Sequence, residues 1–374
     1  MTNFLIHQGA ARRQRGVSLI ELMIALVLGV LVVAGAGAVF LSNKRTFGAS
    51  ETLNRIQENE RASFEIMSRD VREAGGNPCS TSAKPVNMLN ASGNAWWSSY
   101  TDGIHGYAGT DTTTGTSTGT TSTSRVAGTE AIDLALANEG GDVRVTSHND
   151  SSAPLQVSSA TGFAAGQILM VCDMDVRIIF KATGITGSSI AHTASAGIAE
   201  NCNARFAIFD ALGNCATVPS PGAPSYCFAV SGTPGSCSDF GNSPARVTRV
   251  TLARWYIGNN ARGGTSLYRA VVMNNTGTTT PNTPTPTEIA EGATAMTITY
   301  LRRGQATFEA PAAITAANAW GQVIAARVSV TFGGVTGAVT GDYLRETNAN
   351  GTTGAAISNT MTNVVTLRNR EGLM

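Results

Sequence analysis

From Val17 to Leu41 the chain is apolar at almost every position, and Glu21 is its one charged residue. A run of that length crosses a bilayer as a single helix. Beyond Ser42-Asn43-Lys44-Arg45 the pattern changes to an amphipathic one. Leu53, Ile56, Phe64, Met67 and Val71 recur at helical intervals, with one apolar turn missed at Glu60. Glu51/Arg55 and Glu65/Arg69 are acid-before-base pairs four residues apart, which support a helix weakly. Gly75-Gly76-Asn77-Pro78 ends the pattern. The spacing predicts one helix from Val17 to about Ala74, roughly 87 Å long at 1.5 Å per residue. Its first half faces lipid or other helices, and its second half packs on a globular head. Gly29, Gly35 and Gly37 weaken the first half, each by up to about 1 kcal/mol relative to Ala. We read them as sites of close helix packing.

After Cys79 the helical period gives way to short alternating runs. Met296 to Tyr300 and Ala326 to Phe332 alternate cleanly. Weaker strand candidates are Ala131 to Ala137, Gln167 to Cys172, Val176 to Lys181, Arg205 to Phe209, Val247 to Ile257 and Leu267 to Met273. Gly109 to Ser124 is nearly all Thr, Gly and Ser and predicts a flexible surface excursion. Thr276 to Pro286 is Thr/Pro-rich and predicts an extended segment. The fold class is therefore α+β: a long N-terminal transmembrane and amphipathic helix packed on an antiparallel β-sheet head.

Arg12, Arg13 and Arg15 precede the apolar run with no acid among them. Positive flanks stay cytoplasmic, so the head lies outside the inner membrane. A lone Glu costs about 2.5–3.5 kcal/mol near the membrane centre and less toward its edge. Glu21 therefore needs a partner.

Gly16-Val17-Ser18-Leu19-Ile20-Glu21-Leu22-Met23-Ile24-Ala25 resembles the processing site of type IV prepilins and of the pseudopilins of type II secretion. The resemblance implies that a prepilin peptidase cuts between Gly16 and Val17 and methylates the new Val17 amine. It also implies that Glu21 pairs with the N-terminal amine of a neighbouring subunit during assembly. Val17 departs from the Phe that most members carry, and the leader is longer than the family's shortest. The implied organisation is a leader over 1–16, a transmembrane half-helix over 17–41, an amphipathic half-helix over 42–76 and a head over 77–374. Two ordinary readings compete. A secretory signal peptide would be cut after Ala36-Gly37-Ala38, and a plain anchor would keep its leader. The long apolar run with Glu21 inside it disfavours the first. The mature N-terminus separates all three readings.

Glu288-Ile289-Ala290-Glu291-Gly292 leading into the Met296 to Tyr300 strand, then Trp320, the Val323 to Phe332 strand and the closing Met361-Thr362-Asn363-Val364-Val365-Thr366-Leu367-Arg368-Asn369-Arg370 follow an order similar to the C-terminal part of PilW-type minor pilins. J-type minor pseudopilins share a looser version. The likeness implies a minor pilin near the pilus tip that primes assembly with other minor pilins and the major pilin. It also implies a PilY-type adhesin as a partner, with twitching motility, adhesion or DNA uptake downstream. The alternatives are a J-type pseudopilin of a type II secretion system and, further off, a membrane-anchored periplasmic enzyme. Arg368 and Arg370 read as solvated charges at a terminal strand.

The six cysteines, Cys79, Cys172, Cys202, Cys215, Cys227 and Cys237, all follow the membrane run, where the compartment is oxidising. No C-x-x-C occurs, so a disulfide framework is expected and no metal site. Local loops Cys202–Cys215 and Cys227–Cys237 would leave Cys79–Cys172. The leader holds three of the 26 basic residues and none of the 25 acidic ones, so 23 bases against 25 acids leave the mature chain at −2. Strong nucleic-acid binding is not expected from that charge. Gly115 to Gly119 fits G-x-S-x-G, but within a Thr/Gly/Ser tract it lacks the strand and helix of a nucleophile elbow. Asp173 and Asp175 read as a solvated turn, and Trp96, Trp97 and Tyr100 as core or loop packing. We expect no enzymatic activity and no cofactor.

Overall fold

A computed structural model of the chain describes residues 16–370, apart from 77, 81, 91–95, 99–102, 112–117, 149, 197–199, 207–225, 229–244, 273–283, 336–344 and 348–352. One helix, α1 (Leu19–Glu73), runs for 55 residues, about 82 Å at 1.5 Å per residue. Ser18 caps its start, its Oγ accepting the Glu21 N–H at 3.2 Å. Its end comes at Gly75, whose φ of +70° an L side chain rarely adopts. Every residue from Val17 to Leu41 is exposed. In the second half Gly48, Thr52, Ile56, Glu60, Ser63, Met67 and Val71 are buried, three to four residues apart.

The head contains sixteen strands among the described residues. They are β1 (Lys84–Asn87), β2 (Ile104–Tyr107), β3 (Ala131–Ser147), β4 (Leu155–Val157), β5 (Ile168–Cys172), β6 (Val176–Lys181), β7 (Gly184–Thr186) and β8 (Ser189–Ala191). Then follow β9 (Arg246–Asn259), β10 (Thr265–Val272), β11 (Pro284–Glu291), β12 (Ala293–Arg302), β13 (Val323–Gly333), β14 (Arg345–Thr347), β15 (Thr353–Ala356) and β16 (Ser358–Thr366). A short helix α2 (Pro311–Ala316) lies between β12 and β13.

The main sheet runs β1-β6-β5-β9-β3-β4-β8-β7, with β10 and then β11 added beside β9 and β2 beside β3. All of its pairs are antiparallel except β1 with β6. A second, three-stranded sheet has the order β12-β13-β16. The chain passes between the sheets through Gly292, whose φ is +86° and whose added Cβ would lie 2.6 Å from Gly333 O. That position admits only glycine without backbone movement.

One apolar core joins the buried half of α1 to both sheets. It contains Ile56, Met67 and Val71 of the helix, Leu134 of β3, Trp255 of β9, and Ile298, Tyr300 and Val328 of the small sheet. A second core, around Phe180, Phe206, Phe228 and Ile190, fills the part of the head built from β4 to β8. The α+β architecture expected from the sequence is thus present: a long helix with a free apolar half and a large β head.

Several local expectations are corrected. Leu53 is 40 % exposed, and Thr52 and Gly48 occupy the buried face in its place. Arg69 pairs forward with Glu73 at 3.2 Å rather than back with Glu65, whereas Arg55 does meet Glu51 at 2.9 Å. Arg205 and Phe206 are not in a strand, and the rest of that candidate lies outside the described residues. The far end of the Thr/Gly/Ser tract is anchored rather than free. Asn259 donates to Gly119 O at 2.6 Å, and the Tyr256 hydroxyl donates to Thr123 O at 2.8 Å.

Candidate assembly site

The residues that the processing motif singles out, Gly16, Val17 and Glu21, lie at the start of α1. Gly16 and Val17 are exposed. A Cβ built on Gly16 finds no atom within 4 Å, so packing within the chain does not require glycine there. The same is true of Gly29, Gly35 and Gly37. The conformational cost of those glycines is therefore not offset inside this molecule.

Ser18 and Glu21 stand in the S-x-x-E spacing of a capping box, a local signal overlaid by the processing motif. The Ser18 side chain takes one orphan N–H of the first turn, and the Glu21 carboxylate lies in the positive end of the helix dipole. That field is worth about 0.3–1 kcal/mol at an exposed site. It does not match the cost of a carboxylate in hydrocarbon, about 2.5–3.5 kcal/mol. Glu21 is exposed and makes no ion pair among the described residues.

The other half of α1 is fixed to the head by polar groups. Asp70 is buried and accepts from Trp255 Nε1 at 2.8 Å and from both Nε and Nη2 of Arg269, at 2.6 and 3.1 Å. Asn59 donates to Glu291 O at 2.9 Å. Glu60, the interruption in the apolar pattern, is buried beside β16 and accepts from Asn359 Nδ2 at 2.9 Å. At the helix exit, Gly75 N–H donates to Ala135 O at 2.9 Å.

Arg370 corrects its expected role. It is half-buried and donates through Nη1 to Trp320 O at 2.6 Å and Val323 O at 3.1 Å, directly over Gly75. It ties the segment after β16 to Trp320 and Val323 beside the end of α1, while Arg368 is exposed.

Cys79, just past the helix, is bonded to Cys172 at the end of β5, across 93 residues of sequence. In the chain-entropy model a loop that long is worth about 4–5 kcal/mol. Cys202 and Cys227 are also disulfide-bonded. Cys215 and Cys237 lie outside the described residues, as does Tyr100.

Asp173 is not the solvated residue the sequence indicated. It is buried, accepts the N–H groups of Asp175 and Val176 at 2.9 Å each, and takes the Tyr226 hydroxyl. Burial and that carboxylate raise the Tyr226 pKa. Asp175 is exposed. Trp96 is buried over the Arg254 guanidinium, 4.4 Å from its ring centre, and Arg254 forms a two-point pair with Asp133 at 2.5 and 2.6 Å.

His148 and His192 share Ala153 O as acceptor, at 3.1 and 2.8 Å. Since each Nε2 faces a carbonyl, each must carry its proton there. Burial holds His148 at about 4, with the His192 charge adding to the effect, and burial also lowers His192. Among the described residues no three His, Cys, Asp or Glu side chains come together.

No curated protein and no solved structure matches the chain. The family model of the prokaryotic N-terminal methylation motif matches residues 11–37. That span holds Gly16, Val17 and Glu21 and ends inside the lipid-length half of α1. With the free apolar half-helix and the β head behind it, this match supports a place for the chain in the type IV pilin and pseudopilin superfamily.

Proposed function

We propose that this chain is a minor type IV pilin of the PilW type, a structural subunit rather than an enzyme. It is made as a single-pass inner-membrane precursor with its head in the periplasm. Prepilin peptidase cuts after Gly16 and methylates Val17. The subunit then enters the tip of the pilus, where it primes growth with other minor pilins and carries a PilY-type adhesin. Adhesion, twitching motility or DNA uptake follow from the filament.

The observation that carries this reading is the division of α1. Its residues 17–41 are fully exposed and apolar, with one unpaired carboxylate, while its second half is clamped into the head. A free greasy rod with a rigid head is built to exchange lipid neighbours for helical ones. Glu21 supplies the negative partner for a neighbouring Val17-type amine, which removes the desolvation penalty that opposes leaving the interface.

Two measurements test the proposal. Sequencing the mature N-terminus should return methylated Val17; a start at Met1 or Val39 contradicts the processing step. Deleting the gene should reduce surface pili and leave secreted enzymes unchanged. The opposite pattern assigns the chain to a secretion pseudopilus.

A further inference from the structure

The small sheet β12-β13-β16 treats its two edges differently. On the β12 side, outward backbone groups are capped. Ile298 N–H donates to Glu130 Oε2 at 2.6 Å, Tyr300 and Glu309 exchange backbone bonds at 2.8 Å in each direction, and Thr265 Oγ1 donates to Ala293 O at 2.6 Å. On the β16 side the pairing with β13 is regular over nine residues, without a bulge. Leu367 N–H donates to Ile324 O and Gly334 N–H to Ile357 O, which assigns the odd-numbered residues of β16 to the β13 ladder. Thr360, Thr362, Val364 and Thr366 therefore aim their N–H and C=O groups outward, and among the described residues no backbone bond meets them.

Edge strands that stay single are blunted by Lys, Pro, bulges or short length. β16, Ser-Asn-Thr-Met-Thr-Asn-Val-Val-Thr, has none of these. Its outward-facing residues are exposed, with Val364 at 53 %. Hydroxyl pairs Ser329–Thr362 and Thr331–Thr360, at 2.8 Å each, hold the adjoining face in register. Donors and acceptors repeating every second residue are matched by one thing, an extended peptide backbone. The β-branched, uncharged positions along the edge favour a partner strand with uncharged β-branched residues opposite them.

A second copy of this chain does not fit through antiparallel pairing of the two edges. Asn359 lies against Glu60 and Arg370 against Gly75, so β16 runs in the same sense as α1. Antiparallel pairing of two β16 edges would send the two membrane halves in opposite directions, out of one bilayer. We propose that the β16 edge receives an extended strand from a different subunit, completing the small sheet as the chain is incorporated. This rests on the assembly reading above and adds a second contact to it, in the head rather than the membrane.

The test uses the full chain in producing cells. A benzophenone amino acid is placed singly at Thr360, Thr362 and Val364, and at Thr297 on β12 as the comparison. Adducts are mapped by mass spectrometry, and incorporation is read from sheared filaments. The expected result is capture of one segment of another subunit, the captured residue stepping by two for each two-residue step along β16. T362P removes an outward N–H together with the hydroxyl paired with Ser329, T362V removes that hydroxyl alone and serves as its control, and V364K adds an edge charge; T362P and V364K should each reduce adducts at the remaining positions at least tenfold, and T362V should not. No adduct above the Thr297 level, adducts without the two-residue step, capture of a second copy of this chain, or adducts indifferent to both T362P and V364K would overturn the proposal. Incorporation without edge adducts overturns the strand docking alone. A parent chain missing from filaments overturns the assembly reading, and the adduct pattern in the membrane still decides the edge.

Discussion

The two halves of α1 are one continuous helix folded for two solvents. Residues 17–41 present apolar side chains in every direction and are exposed throughout. Residues 48–74 turn one face inward, and that face includes Thr52, Glu60, Ser63 and Asp70 as well as Ile56, Met67 and Val71. Each half holds carboxylates in a costly place. In the head half the cost of Asp70 is met within the chain by three donors from Trp255 and Arg269. In the membrane half Glu21 has only the helix dipole and a serine-capped first turn. An internal partner fixes a fold, and a missing one is available for assembly.

The comparison is broken most severely at Asp70. Asp70→Ala leaves Trp255 Nε1 and the Arg269 guanidinium without their acceptor. Removing one partner of a buried pair should cost about 3 kcal/mol of head stability, read by denaturant unfolding of the full chain in detergent. The Glu21→Ala change should leave that value unmoved.

Acid should destabilise the head. His148 titrates at about 4 in the folded chain against about 6.5 unfolded, and His192 is lowered too. A depressed histidine pKa means that the unfolded chain takes up the proton first. Head stability should therefore be level above pH 6.5 and fall as the pH drops toward 4, by about 3 kcal/mol from His148. H148F should flatten that slope, which pH-stepped unfolding would register.

Smaller effects sharpen the boundary. Arg370→Ala removes two charge-assisted bonds to Trp320 O and Val323 O and should cost about 1.5–3 kcal/mol. Loss of amide protection near Gly75, measured by hydrogen exchange, locates the effect at the helix exit. Ser18→Ala removes the cap of α1 and should cost about 1 kcal/mol of local helix stability, visible as faster exchange at Glu21 with the head unchanged.

How much of this was legible depended on the range of the contacts. The extent of α1 followed from a lipid-length apolar run, helical spacing and Gly75-Gly76. β12 and β13 announced themselves by alternation, and β3, β5, β6, β9 and β10 showed more weakly as short apolar runs. Asp70 gave no signal, because its partners Trp255 and Arg269 lie 185 and 199 residues away. Leu53 misled, since periodicity marks a face but not which neighbour covers it. β11 hid behind Pro284 and Pro286, which are accommodated because it lies at the outer edge of β10. β4, β7 and β8 are three residues each, too short to carry a period. Asp173 looked like a surface charge because, beyond its local N–H donors, its partner Tyr226 lies 53 residues away, and Arg370 did because its acceptors on Trp320 and Val323 lie 50 and 47 residues away. The Ser18–Glu21 capping box was readable and lay hidden inside the larger processing motif.

The most direct measurement concerns Glu21 itself. The parent and Glu21→Ala chains are expressed at equal levels, and the fraction of each recovered in sheared filaments is compared. If the carboxylate serves assembly, Glu21→Ala is trimmed to Val17, keeps the parent's head stability, stays in the membrane and is nearly absent from filaments. Equal recovery of the two chains would show that the charge in the membrane run does not drive incorporation.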